Sequence, residues 1–271
     1  MQPTWIIETN VEGLPSEALQ AVIRGHGMSA HLVKPFLHAK PPSDILGAES
    51  VSLDGCVVFT GTLTLMRYIQ RHRRWTPGGW CNFENLACSI YYAHFGEHLL
   101  NRNYALLPAA EAIRQQDRIF SLLSRGGQVF IRPDSVDKLF AGKLVDARSY
   151  EEILAPSLST PTTMVLVAEP QEIGCEWRLF VAHSRVATGS QYRVNGRTKP
   201  APGVPAEVEN FAKRVLEDVR WRPDPLFVLD VCESRNGLRI VELNSFSCSG
   251  QCACDLDAYV NVASKFASLQ W

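Results

Sequence analysis

Little in this 271-residue chain stands in excess, and each shortage closes off a class of function. No apolar run approaches the roughly 20 residues that cross a bilayer as a helix, so no membrane span is expected. Neither sign of charge dominates: 27 Lys and Arg stand against 28 Asp and Glu. No overall field therefore draws the chain to nucleic acid or to an anionic membrane, and any anionic ligand must be met by a local cluster. The opening "MQPTWIIETN" lacks the basic start and long apolar core of a secretory signal. The eight cysteines are scattered through a chain too long to need disulfide staples, so reduced thiols and a cytoplasmic setting are expected. There is no Gly-x-Ser-x-Gly and no Walker-type loop, which sets aside the usual hydrolase and P-loop chemistries. The histidines, His26, His31, His38, His72, His94, His98 and His183, fall at no spacing that would pair them on a metal or a nucleophile. No repeat of fixed period and no low-complexity segment is present.

What is present is an ordered set of short apolar runs. "TWIIET", "AHLVKP" and "CVVFTG" read as strands, and "SEALQAVIRGHG" as a helix capped by Ser16, which is the rhythm of an α/β unit with parallel strands. Gly61 and Thr62 stand at a strand-to-helix junction, where a plain helix cap competes with an anion site. From Trp75 to about Asn103 the periodicity lapses, and a surface-crossing connection with short helical pieces is expected. "PAAEAIRQQDRIFSLLSRGG" reads as one helix opened by Pro108 and closed by Gly126 and Gly127. "QVFIRP", "TTMVLVAE", "EWRLFVAH" and "RVATGSQYR" are strands, "AEVENFAKRVLEDV" is a helix, and "LFVLDVC" and "LRIVELN" close the set. The second half is thus α+β rather than doubly wound.

"ESRNG", with its Asn-Gly pair, joins the last two runs into an antiparallel hairpin. Strand alternation puts Phe227, Leu229, Val231, Val241 and Leu243 on an apolar face, and Asp230, Glu242 and Asn244 on the other. A slip of one residue would separate those three. Two close carboxylates repel unless a cation sits between them. Hard oxygen donors with an amide alongside suit Mg²⁺, which takes few protein ligands. Asp230 alone reads as a solvated strand residue; the three together, in otherwise apolar strands, favour a metal site.

At this point the C-terminal two thirds resembles the ATP-grasp superfamily of carboxylate–amine ligases, in a divergent branch found in bacteria and phages. The likeness rests on "FVLDVCESRNGLRIVELN", with "FIRPDSVDKLFAG", "EWR" and "SQY" in order upstream. It implies two α+β subdomains clasping ATP over residues 96–271, preceded by a small Rossmann-like α/β unit over 1–95. It gives Asp230, Glu242 and Asn244 the magnesium ions, Arg132 and Lys138 the ATP phosphates, and Val167 and Ala168 the adenine. Glu169, Glu172 or Glu176 would hold the ribose. Arg178 and Arg193 would contact the transferred phosphate or acyl-phosphate. Arg132 stands where relatives more often have Lys, and the following loop is poor in glycine.

The implied activity is ATP- and Mg²⁺-dependent joining of a small-molecule or peptide carboxylate to an amine, with formation of ADP. An ATP-binding sensor without ligase activity and a small-molecule kinase are the alternatives. In "SCSGQCACD", Cys248, Cys252 and Cys254 lack a fourth ligand at zinc spacing and read as small residues of a loop near the metal site, with structural zinc as a lesser reading.

Overall fold

The computed structural model describes residues 2–34, 54–137, 139–160 and 162–271. Among the described residues, three four- or five-stranded sheets carry the fold. The first is parallel, in the order β2-β1-β3-β4, from β1 (Thr4–Glu8), β2 (Ala30–Val33), β3 (Asp54–Thr60) and β4 (Arg74–Gly78). Helices α1 (Ser16–Gly25) and α2 (Leu63–His72) connect its strands. Pro15 rather than Ser16 is the N-cap of α1. The Ser16 N–H already donates to the Leu14 carbonyl at 2.9 Å, and its hydroxyl turns to Glu17, so it starts the helix instead of capping it.

The stretch after Trp75 is core, not a surface connection. It contains β4 and α3 (Cys88–Phe95), and buries Trp80, Cys81, Leu86, Tyr91, Tyr92, Phe95 and Leu99. "CSIYYAHF" is apolar on nearly every side, so a helix buried among neighbours shows no amphipathic stripe.

The second sheet is antiparallel, in the order β5-β8-β6-β7, from β5 (Tyr104–Pro108), β6 (Gln128–Pro133), β7 (Lys143–Asp146) and β8 (Met164–Ala168). The helix expected over 108–127 is two, α4 (Ala109–Arg114) and α5 (Gln116–Leu123), broken at Gln115. With α6 (Tyr150–Leu154) they cover one face of this sheet, where Val129, Ile131, Val145, Val165 and Val167 are buried. Alternation turns Phe130 and Arg132 to the opposite face.

The third sheet is antiparallel too, in the order β11-β10-β9-β12-β13, from β9 (Ile173–Ala182), β10 (Arg185–Val194), β11 (Arg197–Pro202), β12 (Leu226–Ser234) and β13 (Gly237–Ser245). Its odd-numbered face, with Trp177, Leu179, Val181, Phe227, Leu229 and Val231, is buried in the cluster to which α7 (Ala206–Asp218) gives Val208, Phe211 and Val215. The even-numbered face changes character along its length. Phe180, Ala182, Leu226 and Val228 are sealed with α8 (Leu256–Gln270), a helix the sequence reading did not mark out, while Glu176, Arg178 and Asp230 continue the same face as a charged end.

The segment that follows β13 is pinned under α8 by aromatic contacts. Phe246 stacks on Tyr259 at 4.6 Å between ring centroids, and Phe180 meets both edge-on at 5.4 and 5.1 Å. Pairs of this kind add roughly 0.5–1.5 kcal/mol each beyond area burial. Among the described residues no helix is long and apolar enough to cross a membrane.

Candidate active site

A cleft of about 520 Å³ opens between the second and third sheets. Phe130, Arg132 and Lys143 line it from one side, Glu176, Arg178, Arg193 and Glu242 from the other. The hairpin keeps the register that convergence requires, with Asp230 opposite Glu242 and Val228 opposite Asn244. One residue departs from simple alternation. The register shifts by one beyond Asp230, so that Ile240 instead of Val241 opposes Val231. Val241 is therefore the extra residue of a β-bulge, and it lines the cleft beside Glu242 while Ile240 takes its place in the core. A bulge re-aims side chains in this way.

The charged side chains form one continuous network. Arg178 grips Asp230 with two parallel hydrogen bonds, Nε to Oδ1 at 3.0 Å and Nη2 to Oδ2 at 2.8 Å. The Asn244 amide nitrogen donates to Asp230 Oδ2 at 3.0 Å and to Glu242 Oε1 at 2.9 Å, bridging the two carboxylates. Arg132 Nη2 donates to Glu242 Oε2 at 2.7 Å and so ties the second sheet to the third. Asp230 is fully buried, and its charge is matched by the forked guanidinium. Two guanidiniums thus flank the two carboxylates, with the Asn244 amide between them.

Burial works against the charge of Arg178, but Asp230 more than offsets it and the pKa rises. Burial pushes the Glu176 carboxyl up, against the Tyr192 hydroxyl, which donates to Glu176 Oε2 at 2.8 Å, and against Arg193. Burial foremost, then Asp230 and Glu176, hold Tyr192 protonated, so it donates.

The donors suit a magnesium nucleotide. They are carboxylate and amide oxygens, and Glu242 faces the cleft. Among the described residues no group of three or more His, Cys, Asp or Glu could hold a metal ion alone. Mg²⁺ itself takes few protein ligands and fills its shell with phosphates and water. Asp230 would join such a shell once Arg178 releases it.

The remaining candidates are distributed unevenly. Val167 and Ala168 lie in β8, the inner strand between β5 and β6, fully buried and paired on both sides. Glu169 and Glu172 line a neighbouring cavity of about 790 Å³, where Glu169 is paired with Arg125 and is reached by the Asn103 amide. Lys138 lies outside the described residues. Cys248, Cys252 and Cys254 are free thiols like the other five, and among the described residues no zinc group forms around them. The Gly61–Thr62 junction is a helix cap: Thr62 Oγ1 accepts from Leu65 N–H, and the anion at this helix start is the chain's own Glu8, which accepts from Thr62 N–H at 2.6 Å. A Cβ on Gly61 would come within 2.5 Å of Glu8.

Lys143 and Tyr192 are among the cleft residues that the sequence does not single out. Lys143 follows the glycine that ends the "DKLFAG" loop, and Tyr192 precedes Arg193 in "SQYR". For Lys143 the signal was there, as a Gly-Lys pair opening a short strand.

The sequence matches the model of an ATP-grasp domain, the third family of its clade, over residues 66–262. The chain belongs to this ATP-grasp family. Solved structures carry the same fold. D-cycloserine synthetase DcsG superposes with a TM-score of 0.64 at 11% identity, over 97% of this chain and 99% of that one. A RimK domain ATP-grasp protein from Sphaerobacter thermophilus DSM 20745 gives 0.57 at 17% identity, over 98% and 97%. D-alanine–D-alanine ligase from Bacillus anthracis gives 0.54 at 11% identity, over 100% and 96%. Comparison with curated proteins gives no match. In this ATP-grasp chain the two antiparallel sheets face each other across the cleft, and the Arg132–Glu242 pair spans it.

Proposed function

We propose that this chain is an ATP- and Mg²⁺-dependent ligase that joins a carboxylate to an amine through an acyl-phosphate and releases ADP. One observation carries the reading: the run Arg132, Glu242, Asn244, Asp230, Arg178, in unbroken hydrogen-bond contact from one wall of the cleft to the other. Its two cationic and two anionic side chains balance, and Arg193 and Lys143, which line the same cleft, add positive charge for a nucleotide's phosphates.

Phosphoryl transfer asks mainly for charge neutralisation and in-line placement, not for a covalent residue. A carboxylate oxygen of the first substrate attacks the γ-phosphorus and ADP leaves. The amine then attacks the acyl carbon, phosphate leaves, and the amine gives up a proton. Arg132, with Lys143 and Lys138, meets the phosphate tail. Glu176, on the cleft side and held by Tyr192, takes the ribose in preference to Glu169 and Glu172, which face the neighbouring cavity. The strand about Val167 and Ala168 would border the adenine. Arg178 and Arg193 meet the transferred phosphoryl group. Asp230, Glu242 and Asn244 would hold magnesium, which neutralises the phosphate oxygens when bound. Residues 1–95 form the preceding unit and 96–271 the nucleotide clasp, whose closure keeps water from the acyl-phosphate.

The test is ADP release with ATP, Mg²⁺ and pools of amino acids and peptides, beside the Glu242→Gln variant. Acceptor-dependent ADP in the wild type, with Mg-ATP affinity lowered at least about tenfold in the variant, is expected. Unchanged affinity and turnover in Glu242→Gln defeat the reading. Tight Mg-ATP binding without ADP under any acceptor marks a sensor, and a phosphorylated acceptor in the product mass spectrum marks a kinase.

A further inference from the structure

The geometry points to Tyr192 as the positioning residue of the cleft, the side chain that fixes Glu176, Arg178 and Arg193 together. Its place on β10 is irregular. Gln191 pairs with Trp177 and Arg193 with Glu176, so Tyr192 is the extra residue of a bulge, and the register against β11 shifts at the same point. Bulges near sites turn a side chain where alternation alone would not.

The Tyr192 side chain lines the cleft yet is 9% exposed. Its hydroxyl is spent on Glu176 Oε2 at 2.8 Å. Its ring lies 5.0 Å from the Arg178 guanidinium carbon and 5.5 Å from that of Arg193, both within cation–π range. A tyrosine kept only for packing has no need of a carboxylate and two guanidiniums. Here the phenol holds the carboxylate at one end while the ring backs the two arginines. The inference rests on the reading of this cleft as the Mg-ATP site.

The test compares wild type, Tyr192→Phe and Tyr192→Leu as full chains, each confirmed folded by urea unfolding. Mg-ATP is titrated calorimetrically across pH. The groups that bear on Glu176 are Tyr192 and Arg193 from β10, Asp230 and Cys232 from β12, and Glu242 from β13; only the first is altered. Tyr192→Phe keeps the ring and loses the hydroxyl, so Mg-ATP affinity falls about tenfold, as for a lost hydrogen bond to a charged group, and the acidic limb of the binding profile moves to higher pH. Tyr192→Leu loses both and binds more weakly than Tyr192→Phe. Wild-type affinity and an unmoved limb in Tyr192→Phe overturn the inference, whether or not the leucine variant folds.

Should the wild type itself fail to bind Mg-ATP, the ligase reading falls. The inference is then decided by carbon-13 titration of Glu176: an upward move in Tyr192→Phe supports it, and an unmoved titration overturns it.

Discussion

Breaking the Arg178–Asp230 pair from one side should cost nearly as much as breaking it from both at once. Asp230 has no exposed surface and the Arg178 side chain is 14% exposed, joined by two hydrogen bonds. Removing one partner of a buried pair strands a charge, at about 3–5 kcal/mol. Asp230→Asn should fall near the lower end, about 3 kcal/mol. Arg178 retains the Gly250 carbonyl at 3.4 Å and the Tyr192 ring at 5.0 Å, and it lies nearer to solvent. Arg178→Met should fall near the upper end, about 4–5 kcal/mol, because Asp230 keeps only the Asn244 amide. The double variant strands no charge. Its loss should therefore not exceed that of the worse single, leaving a coupling of at least about 3 kcal/mol, the top of the range for side chains in contact. Urea unfolding without nucleotide reads this, followed by tryptophan fluorescence and by circular dichroism. Losses that add to within about 0.5 kcal/mol would refute the claim that the guanidinium, in the absence of nucleotide, is the counter-ion of Asp230.

Three further outcomes are expected. Lys143→Ala, at an exposed position lining the cleft, should weaken Mg-ATP binding by about two- to fivefold in low salt and by less in high salt, as screening of an exposed charge requires; calorimetry at two ionic strengths checks both. Gly142→Ala would put a Cβ 2.9 Å from the Phe130 ring, costing about 1–3 kcal/mol by overpacking and displacing a cleft wall, seen as lower urea stability together with weaker Mg-ATP binding. Burial pushes Asp224 up to about 6 against the Asn82 N–H that it accepts. The folded chain therefore holds this proton more tightly than the unfolded one, whose ordinary value is about 3.9. The stability of wild type relative to Asp224→Asn should accordingly rise as pH falls from 7 through 6 towards 4; thermal unfolding of the two proteins at each pH, with no change in their difference, would count against it.

What could be read from the sequence, and what could not, divides by the range of the interaction. The hairpin was legible because Asn236 and Gly237 mark its turn, and the turn fixes which residues of the two strands face each other. Asp230, Glu242 and Asn244 follow from that local fact. Val241 does not: a one-residue bulge moves it from core to cleft, and a binary pattern of apolar and polar residues reads the same with or without the bulge. Tyr192 escaped for the same reason on another strand. Helix α3 is legible only as a short helical piece of unspecified place, because burial all round erases the periodicity by which helices are delimited.

The pairing of Arg178 with Asp230 is the most instructive omission. The two are 52 residues apart and meet only because β9 and β12 lie side by side in antiparallel register, with Arg178 directly opposite Asp230. The sequence shows two acids in need of a cation, and the family resemblance gives Arg178 to the transferred phosphate. The fold instead pairs one of those acids with that arginine. On the proposed reading, occupancy would be an exchange: a magnesium nucleotide that recruited Asp230 would free Arg178, which lines the same cleft, for the phosphoryl oxygens. If so, affinity for Mg²⁺ alone should be poor and affinity for the magnesium nucleotide good, since only the second brings an anion to replace Asp230 on Arg178. Calorimetry with MgCl₂ and with Mg-ATP separates the two, and tight binding of the bare ion would show that no such exchange occurs.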